Sequence, residues 1–331
     1  MQRWLISVPV WGESYVRMFE EVAAPALLAA VALLDLLGQT VRFVIHTDAA
    51  DRVRAALPGQ AVEVRPVDAQ PTYVALQHAH ADALRSTPVG DYVVLLNADI
   101  VISGNFLVRC AEHFARGKRA VVLLGIRTVA GPEPPPPGAP PRDLLEWAWA
   151  HRHQIIRDLE WPGGTSLLPT NLFFAQGDTV VARGFHLHPA AVIKHAATEF
   201  RSTIDGDLLD HFPREDIHVV VDPDDCAMCE VSPPSRRFPV REGLGLNPAR
   251  VAVSMRSRAS AMHCWLVTHR IGVAGSPCDC GDEGAVAEIL KIMGQVGPSS
   301  SQVKQRAVLP AGPPPRRFRG VVPAGPRGRP G

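Results

Sequence analysis

The fold is decided by the stretch Asp91–Ser103, which reads DYVVLLNADIVIS. An almost unbroken apolar run, Tyr92–Leu96, enters the polar cluster Asn97-Ala98-Asp99 and resumes as Ile100–Ile102. A run of this length and β-branched content is typical of a buried central strand. A carboxylate at the end of such a strand is costly to bury unless it binds something. Because ligands bind at this edge of open α/β sheets, we predict that Asp99 marks a functional site.

Strands and helices alternate on both sides of this stretch. The pattern predicts further strands at Leu5–Val10, Val41–His46, Val62–Pro66, Lys118–Gly125, Leu172–Ala175, Phe185–Pro189 and Ile217–Val221. It predicts helices at Tyr15–Leu37, Asp51–Leu57, Tyr73–Ser86, Phe106–Gly117 and Arg142–Leu159. The alternation favours an α/β fold with a doubly wound, mostly parallel, Rossmann-like sheet, helices on both faces and an irregular carboxyl-terminal portion.

The chain is predicted to form one domain followed by a tail. Residues 1–130 form an α/β half, and residues 131–141, GPEPPPPGAPP, form an exposed loop, since proline lacks the N–H that a sheet requires. Residues 142–295 complete the same domain. Residues 296–331 are rich in Pro, Gly and Arg and cannot bury a core, so we expect them to be disordered.

Composition limits the classes of partner. The formal net charge is only +1, with 20% charged residues, so no overall basic field favours nucleic acid or a membrane surface. The most apolar helix candidate, Val22–Leu37, contains Pro25 and Asp35 and falls short of a transmembrane segment. No secretory signal pattern follows Met1, and we therefore expect a cytoplasmic protein.

Two cysteine pairs have spacings that invite a metal interpretation. Cys226 and Cys229 enclose two residues, and Cys278 and Cys280 enclose one, so together they could supply four thiolates to a structural zinc ion. The second spacing is unusual for zinc. Free, reduced thiols in loops are the alternative interpretation, and the one that we favour.

The polar cluster after the central strand suggests phosphate chemistry. A carboxylate such as Asp99, placed just past a parallel strand, can hold Mg²⁺ or Mn²⁺, and the ion in turn binds a diphosphate. The alternative is that Asp99 only forms a turn or caps the next helix. Trp11 and Glu13 follow the first strand and could contact a nucleotide, with Trp11 stacking on a base or sugar ring. A solvent-exposed loop is the alternative for both. His80, in the predicted helix Tyr73–Ser86, could also reach a nucleotide.

Three strand ends carry a family resemblance. The segments Val8-Pro9-Val10, Thr47-Asp48 and Asn97-Ala98-Asp99 resemble those of a GT-A-type glycosyltransferase, over roughly Trp4 to Val221. The chain also resembles a group of bacterial proteins with WGE, NAD, HLHP and TID segments, to which we attach no activity. In the GT-A fold the first two strand ends hold the nucleotide, and a DxD motif holds the metal and the sugar diphosphate.

The resemblance implies a nucleotide-sugar donor and a hydroxyl-bearing acceptor. It implies that Pro9, Trp11 and Asp48 frame the nucleoside and that Asp99 binds Mg²⁺ or Mn²⁺. Asn97 stands where the family has the first Asp of its DxD motif. Residues 1–130 would then bind the nucleotide sugar, and residues 142–295 would supply the acceptor side and the catalytic groups.

A catalytic base is predicted in the segment Ser202–Asp207, where Asp205 and Asp207 flank Gly206. An inverting glycosyltransferase needs a carboxylate to take the proton of the acceptor hydroxyl as it attacks. In the family this base comes from an acidic motif well after the metal motif, which implies Asp205 or Asp207. A turn or a calcium-like loop is the alternative for this segment.

Two histidines, His186 and His188 in GFHLHP, are predicted to share one face of a strand, because side chains alternate along it. They could position an acceptor or a phosphate, together with Trp161 and Asn171. The pair could instead bind zinc or iron with a carboxylate, as in a hydrolase or oxygenase. A nucleotidyltransferase or a non-catalytic nucleotide- or sugar-binding protein on this scaffold also remains open.

Overall fold

The computed structural model describes residues 3–67, 72–129, 131, 133–195, 208–232, 245–276 and 279–295. Its strands are β1 Trp4–Ser7, β2 Val41–His46, β3 Ala61–Arg65, β4 Tyr92–Leu95, β5 Ile100–Ile102, β6 Ala120–Leu123, β7 Gly125–Val129, β8 Glu160–Trp161, β9 Asn171–Gln176, β10 Thr179–Gly184, β11 His188–Ile193, β12 Ile217–Val219, β13 Met228–Ser232 and β14 Ile271–Ala274.

The helices are α1 Glu13–Met18, α2 Ala24–Asp35, α3 Ala50–Ala56, α4 Thr72–Arg85, α5 Phe106–Ala115, α6 Pro141–Ala150, α7 Gln154–Arg157, α8 Pro248–Arg256, α9 Ala261–Leu266 and α10 Asp282–Gln295. Within the described ranges, no helix combines the length and the apolar character needed to cross a bilayer. The predicted bases Asp205 and Asp207, the thiol of Cys278 and the predicted tail lie outside the described residues.

A seven-stranded sheet forms the centre of the fold, in the order β12-β6-β11-β4-β1-β2-β3. Strand β1 pairs in parallel with both β2 and β4, and β2–β3 and β6–β12 are also parallel. Strand β11 is antiparallel to both of its neighbours, β4 and β6. The prediction of an α/β fold with a mostly parallel sheet is therefore confirmed.

Both faces of the central sheet are covered, as predicted. Alternate residues of each strand enter different cores, so that Leu5 packs on one face and Ile6 on the other. The face of Ile6 is covered by α2 and α5 through Leu27 and Phe106, and the face of Leu5 is covered partly by α4 through Leu84. The continuous apolar run in β4 reflects this burial on two sides.

The first long helix contains a π-helical segment, Phe19–Ala23, between α1 and α2. Pro25 lies just inside α2 and has no N–H, and its ring would clash with the carbonyl of Glu21 in a regular α-helix. Widening one turn to π-helical geometry accommodates it. The helix ends before Gly38, whose φ of +69° is the left-handed conformation that glycine commonly adopts after a helix end.

The central apolar stretch divides between two sheets. After β4 the chain leaves the central sheet at Asn97–Asp99, and β5 joins a three-stranded sheet of order β5-β13-β7. A second small sheet, β14-β10-β9-β8, packs against α8 and α10 in a core that includes Phe174 and Val251. The predicted helix Arg142–Leu159 is divided at His151–His153 into α6 and α7.

The Pro-rich loop of residues 131–141 is partly packed, which corrects the expectation that it is exposed. Ala139 is buried, and its carbonyl accepts a hydrogen bond from the N–H of Gly104 at 3.0 Å. A Cβ at Gly104 would lie 2.6 Å from the carbonyl oxygen of Gly138. Gly104 therefore allows two backbone segments to approach more closely than any other residue would.

Substituting Gly104→Ala should lower the free energy of unfolding by about 1–3 kcal/mol, because the clash is with backbone that cannot rotate away. Urea denaturation of the purified variant measures this change. Gly163→Ala is the matched control, since a Cβ there meets nothing within 4 Å. Equal stability of the Gly104 variant and the wild type would contradict the proposed close packing.

Candidate functional site at the carboxyl edge of the central sheet

The order of strands indicates a binding site at the carboxyl ends of β1 and β4. The chain extends from β1 through β2 to β3 on one side, and then returns to place β4 on the other side of β1. Such a reversal leaves a crevice outside the carboxyl ends of the two strands, where open α/β sheets bind ligands. The residues predicted from the strand ends, Pro9, Asp48, Asn97 and Asp99, follow β1, β2 and β4 at this edge.

His80 of α4 bridges the two strands at the reversal. Its ring is fully buried, with Nδ1 3.1 Å from Oγ of Ser7, the last residue of β1. Its Nε2 lies 3.5 Å from Oδ1 of Asn97, just beyond β4. The structure thus brings His80 and Asn97 together, as their assignment to one site requires, and adds Ser7.

Asn97 and Asp99 project from a short turn between β4 and β5. The carbonyl of Asn97 accepts from the N–H of Ile100 at 3.1 Å, and the carbonyl of Asp99 accepts from Val231 at 2.7 Å. Asp99 is buried and Asn97 half-buried. Both side chains offer oxygen atoms, which are the ligands that Mg²⁺ and Mn²⁺ take in proteins, and binding of such an ion here stays a prediction.

The carboxylate of Asp99 also affects a neighbouring thiol. The pKa of Cys229 on β13 is raised well above its usual range, first by complete burial and then by the negative charges of Glu230 and Asp99. A raised pKa favours the protonated, less reactive form of the thiol. Asn97 and Asp99, in the turn itself, offer oxygen donors.

The loop after β1 is fixed to the end of β2. Val10 forms a bridge to Thr47, and the N–H of Gly12 points at the carboxylate of Asp48, 3.4 Å from each oxygen. Gly12 has a φ of +76°, a conformation that suits glycine. Asp48 is exposed, Pro9 is buried and Trp11 is half-buried. These three predicted nucleotide contacts thus lie on one loop and the adjoining strand end.

Glu13 belongs to an ion-pair network rather than standing alone in that loop. Its carboxylate accepts from Arg52 of α3 at 2.7 Å, and Arg52 also donates to Glu20 at 2.7 and 2.5 Å. The hydrogen bond from Arg52 lowers the pKa of Glu20, against a smaller opposing effect of burial. The network links α1, the π-helical segment and α3, which gives Glu13 a structural contact beside its predicted role.

A second network holds α4, and with it His80, against β2 and β3. Oδ2 of Asp82 lies 3.0 Å from Nε2 of His46 and 2.5 Å from Nη1 of Arg65. Burial alone would raise the pKa of Asp82, but the hydrogen bonds from Arg65 and His46 outweigh it, and the pKa is lowered. The ionised carboxylate is thus the form that the fold stabilises.

The two histidines of GFHLHP do not share a strand face, and that prediction is wrong. His188 is the first residue of β11, whereas His186 lies in the bend before it. Nε2 of His188 is 2.8 Å from the carbonyl oxygen of Leu95, at the carboxyl end of β4. The ring of His186 instead packs against His263 of α9, with centroids 4.5 Å apart. Of the two, His188 lies at the candidate site.

Trp161 and Asn171 make contacts within the small sheet of β8 and β9. The ring of Trp161 packs on Phe174 with centroids 5.7 Å apart. The amide nitrogen of Asn171, in the flipped orientation of the side chain, donates to the carbonyl oxygens of Thr170 at 2.8 Å and His186 at 2.9 Å. Asn171 therefore orients the bend that leads into β11, and its contact with an acceptor remains a prediction.

One group of side chains that the sequence did not reveal is His113, His218 and Asp225. The segment Asp222–Asp225 forms a turn, as its composition suggests, with the N–H of Asp225 donating to the carbonyl of Asp222 at 3.1 Å. The carboxylate of Asp225 is nevertheless buried between the two imidazoles. His113 and Asp225 are 112 positions apart, and no spacing signal connects them.

No protein-family model matches the chain, and no curated protein matches its sequence. Among solved structures, residues 1–349 of TarS from S. aureus align at 12% identity and a TM-score of 0.34, over 93% of this chain and 76% of that one. A 4-diphosphocytidyl-2C-methyl-D-erythritol synthase from Anaerococcus prevotii aligns at 14% identity and 0.35, over 66% and 86%. Likenesses this low carry no argument, and the architecture above rests on the strand order and register of this chain.

The network at Asp82 predicts a pH-dependent contribution to stability. The folded-state pKa of Asp82 is lowered from 3.8, so its stabilisation is fully present above that value and is lost as the pH falls through the lower folded pKa. Asp82→Asn should therefore destabilise the protein at pH 7 and less so below about pH 3. Urea unfolding at both pH values measures the difference.

Asp51→Asn serves as the control for this experiment, since Asp51 lies on α3 with its side chain fully exposed. We expect it to change stability little at either pH. A destabilisation by Asp82→Asn that stays constant from pH 7 to pH 3 would show that the ionised carboxylate is not what stabilises the fold.

Proposed function

We propose that this protein transfers a sugar from a nucleotide-sugar donor to an acceptor hydroxyl at the carboxyl edge of the central sheet. The observation that carries the proposal is the convergence of three strand ends at the reversal between β1 and β4, with His80 bridging Ser7 and Asn97. Open α/β sheets bind ligands outside such a reversal, and the oxygen-bearing side chains at this one suit a ligand with a nucleoside at one end and a diphosphate at the other.

The nucleoside is proposed to bind beside the loop after β1. Asp48 is exposed and its carboxylate is oriented by the N–H of Gly12, so it can accept hydrogen bonds from ribose hydroxyls. Trp11 on the same loop can stack on the base. Pro9 is buried beneath them and fixes the direction in which the loop leaves β1.

The diphosphate is proposed to bind beside Asn97 and Asp99, with Mg²⁺ or Mn²⁺ held by the carboxylate of Asp99. When bound, such an ion stabilises the negative charge that develops on the leaving diphosphate. His80 orients Asn97 through its contact with Oδ1, and is itself oriented by Ser7. The ion pairs of Asp82 keep α4 in the position that this contact requires.

The acceptor is proposed to approach from the side of His188. Its hydroxyl oxygen forms a bond to the anomeric carbon, the bond from that carbon to the phosphate oxygen breaks, and the hydroxyl proton passes to a carboxylate. Asp205 or Asp207 is the proposed base, on the family resemblance. His188 helps to orient the acceptor, and Trp161 and Asn171 support that side through the β8–β9 sheet.

Nucleoside diphosphates with Mn²⁺ provide the direct test. We expect one of them at saturating concentration to raise Tm by more than about 3 °C. Asp48→Ala should weaken that binding about tenfold or more, because a hydrogen bond to a charged group is lost. Asp99→Asn should remove the part of the shift that depends on Mn²⁺. Thermal-shift titrations measure both effects.

The matched control is Asp51→Ala, which removes an exposed carboxylate from the adjacent helix and should bind as the wild type does. Release of nucleoside diphosphate from nucleotide sugars, with water as acceptor, then separates the candidate functions. Binding without release would indicate a non-catalytic protein, and release of pyrophosphate from nucleoside triphosphate plus sugar phosphate would indicate a nucleotidyltransferase. No shift with any nucleoside diphosphate, in a folded sample, would refute the proposal.

A further inference from the structure

We propose that His113, His218 and Asp225 bind a divalent transition-metal ion of the zinc class, at a site separate from the carboxyl-edge site and independent of the function proposed there. Within the described part of the chain, they form the one group of three His, Cys, Asp or Glu side chains whose ligand atoms all lie within 4.8 Å of one another. We refer to these three residues as the His–His–Asp cluster.

Three separate elements meet at the cluster. His113 lies in the last turn of α5, His218 in the middle of β12, and Asp225 in the turn that follows β12. The neighbours of His218 in β12, Ile217 and Val219, pack into the core on the other face of the sheet. His218 therefore faces α5. An ion bound here would join α5 to the edge strand β12 and its following turn, which lie far from α5 in sequence.

The nitrogen–oxygen separations in the cluster are slightly shorter than those around a tetrahedral zinc ion. Nε2 of His113 and Nε2 of His218 each lie 2.9 Å from Oδ2 of Asp225, and the two rings stack with centroids 3.5 Å apart. Zinc bonds of about 2.0–2.1 Å in a tetrahedron place neighbouring ligand atoms about 3.3 Å apart. Small movements of the three side chains would thus make room for the ion.

An ion pair with Arg109 orients the carboxylate of Asp225. Nε of Arg109 donates to Oδ1 of Asp225 at 2.7 Å, which leaves Oδ2 directed at the two imidazoles. Nη1 of Arg109 in turn donates to Glu112 at 2.6 Å. Glu112 offsets the charge of Arg109, so the cation beside the site is already paired. Outer contacts of this kind orient metal-binding carboxylates.

The ligand types select the class of metal. Two imidazole nitrogens and one carboxylate suit zinc and neighbouring transition metals, whereas magnesium and calcium prefer oxygen ligands throughout. Asp225 and His113 are buried, but the side chain of His218 is 24% exposed, which gives an ion access from solvent. Three protein ligands leave a fourth position for water.

Two nearby thiols are not proposed as ligands. Cys110, one turn before His113 on α5, and Cys226, the residue after Asp225, are free, buried thiols. Burial raises the pKa of Cys110 well above its usual range, and the neighbouring Cys226 raises it further. This difference in ligand type separates the His–His–Asp cluster experimentally from a zinc site at the cysteines.

Metal content and the spectrum of the cobalt form test the site. Untagged protein is stripped with a chelator, given Zn²⁺ and dialysed, and should retain one equivalent. The Co²⁺ form should show visible ligand-field bands without a thiolate-to-cobalt charge-transfer band. His218→Ala should weaken Zn²⁺ binding by more than about 100-fold in competition with a chromophoric chelator, since even outer contacts typically contribute 10–100-fold.

His78→Ala is the matched control, because it removes an exposed imidazole from α4 and should leave Zn²⁺ affinity unchanged. Asp225→Asn and His218→Gln, checked for folding by circular dichroism, keep the test decisive if His218→Ala does not fold. Failure of the wild type to retain Zn²⁺ would overturn the proposal. Unchanged affinity in the folded cluster variants, or a strong thiolate band, would overturn it as well.

Discussion

The candidate site depends above all on the pairing of β1, which is hydrogen-bonded in parallel to β2 on one edge and to β4 on the other. Parallel pairing forces the three strands to end at one edge of the sheet, and the reversal of strand order opens that edge between β1 and β4. Pro9, Asp48 and Asn97 come together for this reason alone, although the chain between them is long.

Helix α4 adds the side-chain contacts that join these strand ends. It carries His80 into the core between Ser7 and Asn97, and two residues later it presents Asp82 to His46 and Arg65. A buried imidazole with polar neighbours on two strands holds those strand ends in register with each other. The ion pairs at the exposed end of the same helix then fix its position along the sheet.

Much of this could be predicted from local sequence. The run Tyr92–Leu96 indicated a strand buried on both faces, and a polar residue at its end indicated an edge where ligands bind. The fate of Ile100–Ile102 could not be predicted in the same way, because an apolar run does not specify which sheet it joins. The start of β11 at His188 depends on pairing with β4 and β6, which is equally non-local.

The cluster of His113, His218 and Asp225 also could not be predicted from local sequence. Each residue looks ordinary in its own segment, and Asp225 does form the turn that its neighbours suggest. Their meeting depends on α5 packing over β12, which brings together positions that no short motif connects. Packing between distant elements, rather than local propensity, decides where these polar groups converge.

The antiparallel pairing of β11 with β6 separates the length of the intervening segment from the register of the sheet. Leu123, the last residue of β6, pairs directly with His188, the first residue of β11. Residues 124–187 therefore leave the central sheet and return to it at adjacent positions on neighbouring strands. The register of the central sheet does not depend on the length of this segment, so insertions in its exposed loops cost little entropy. Loop lengths around His188 can thus change while β11 keeps its pairing with β4 and β6.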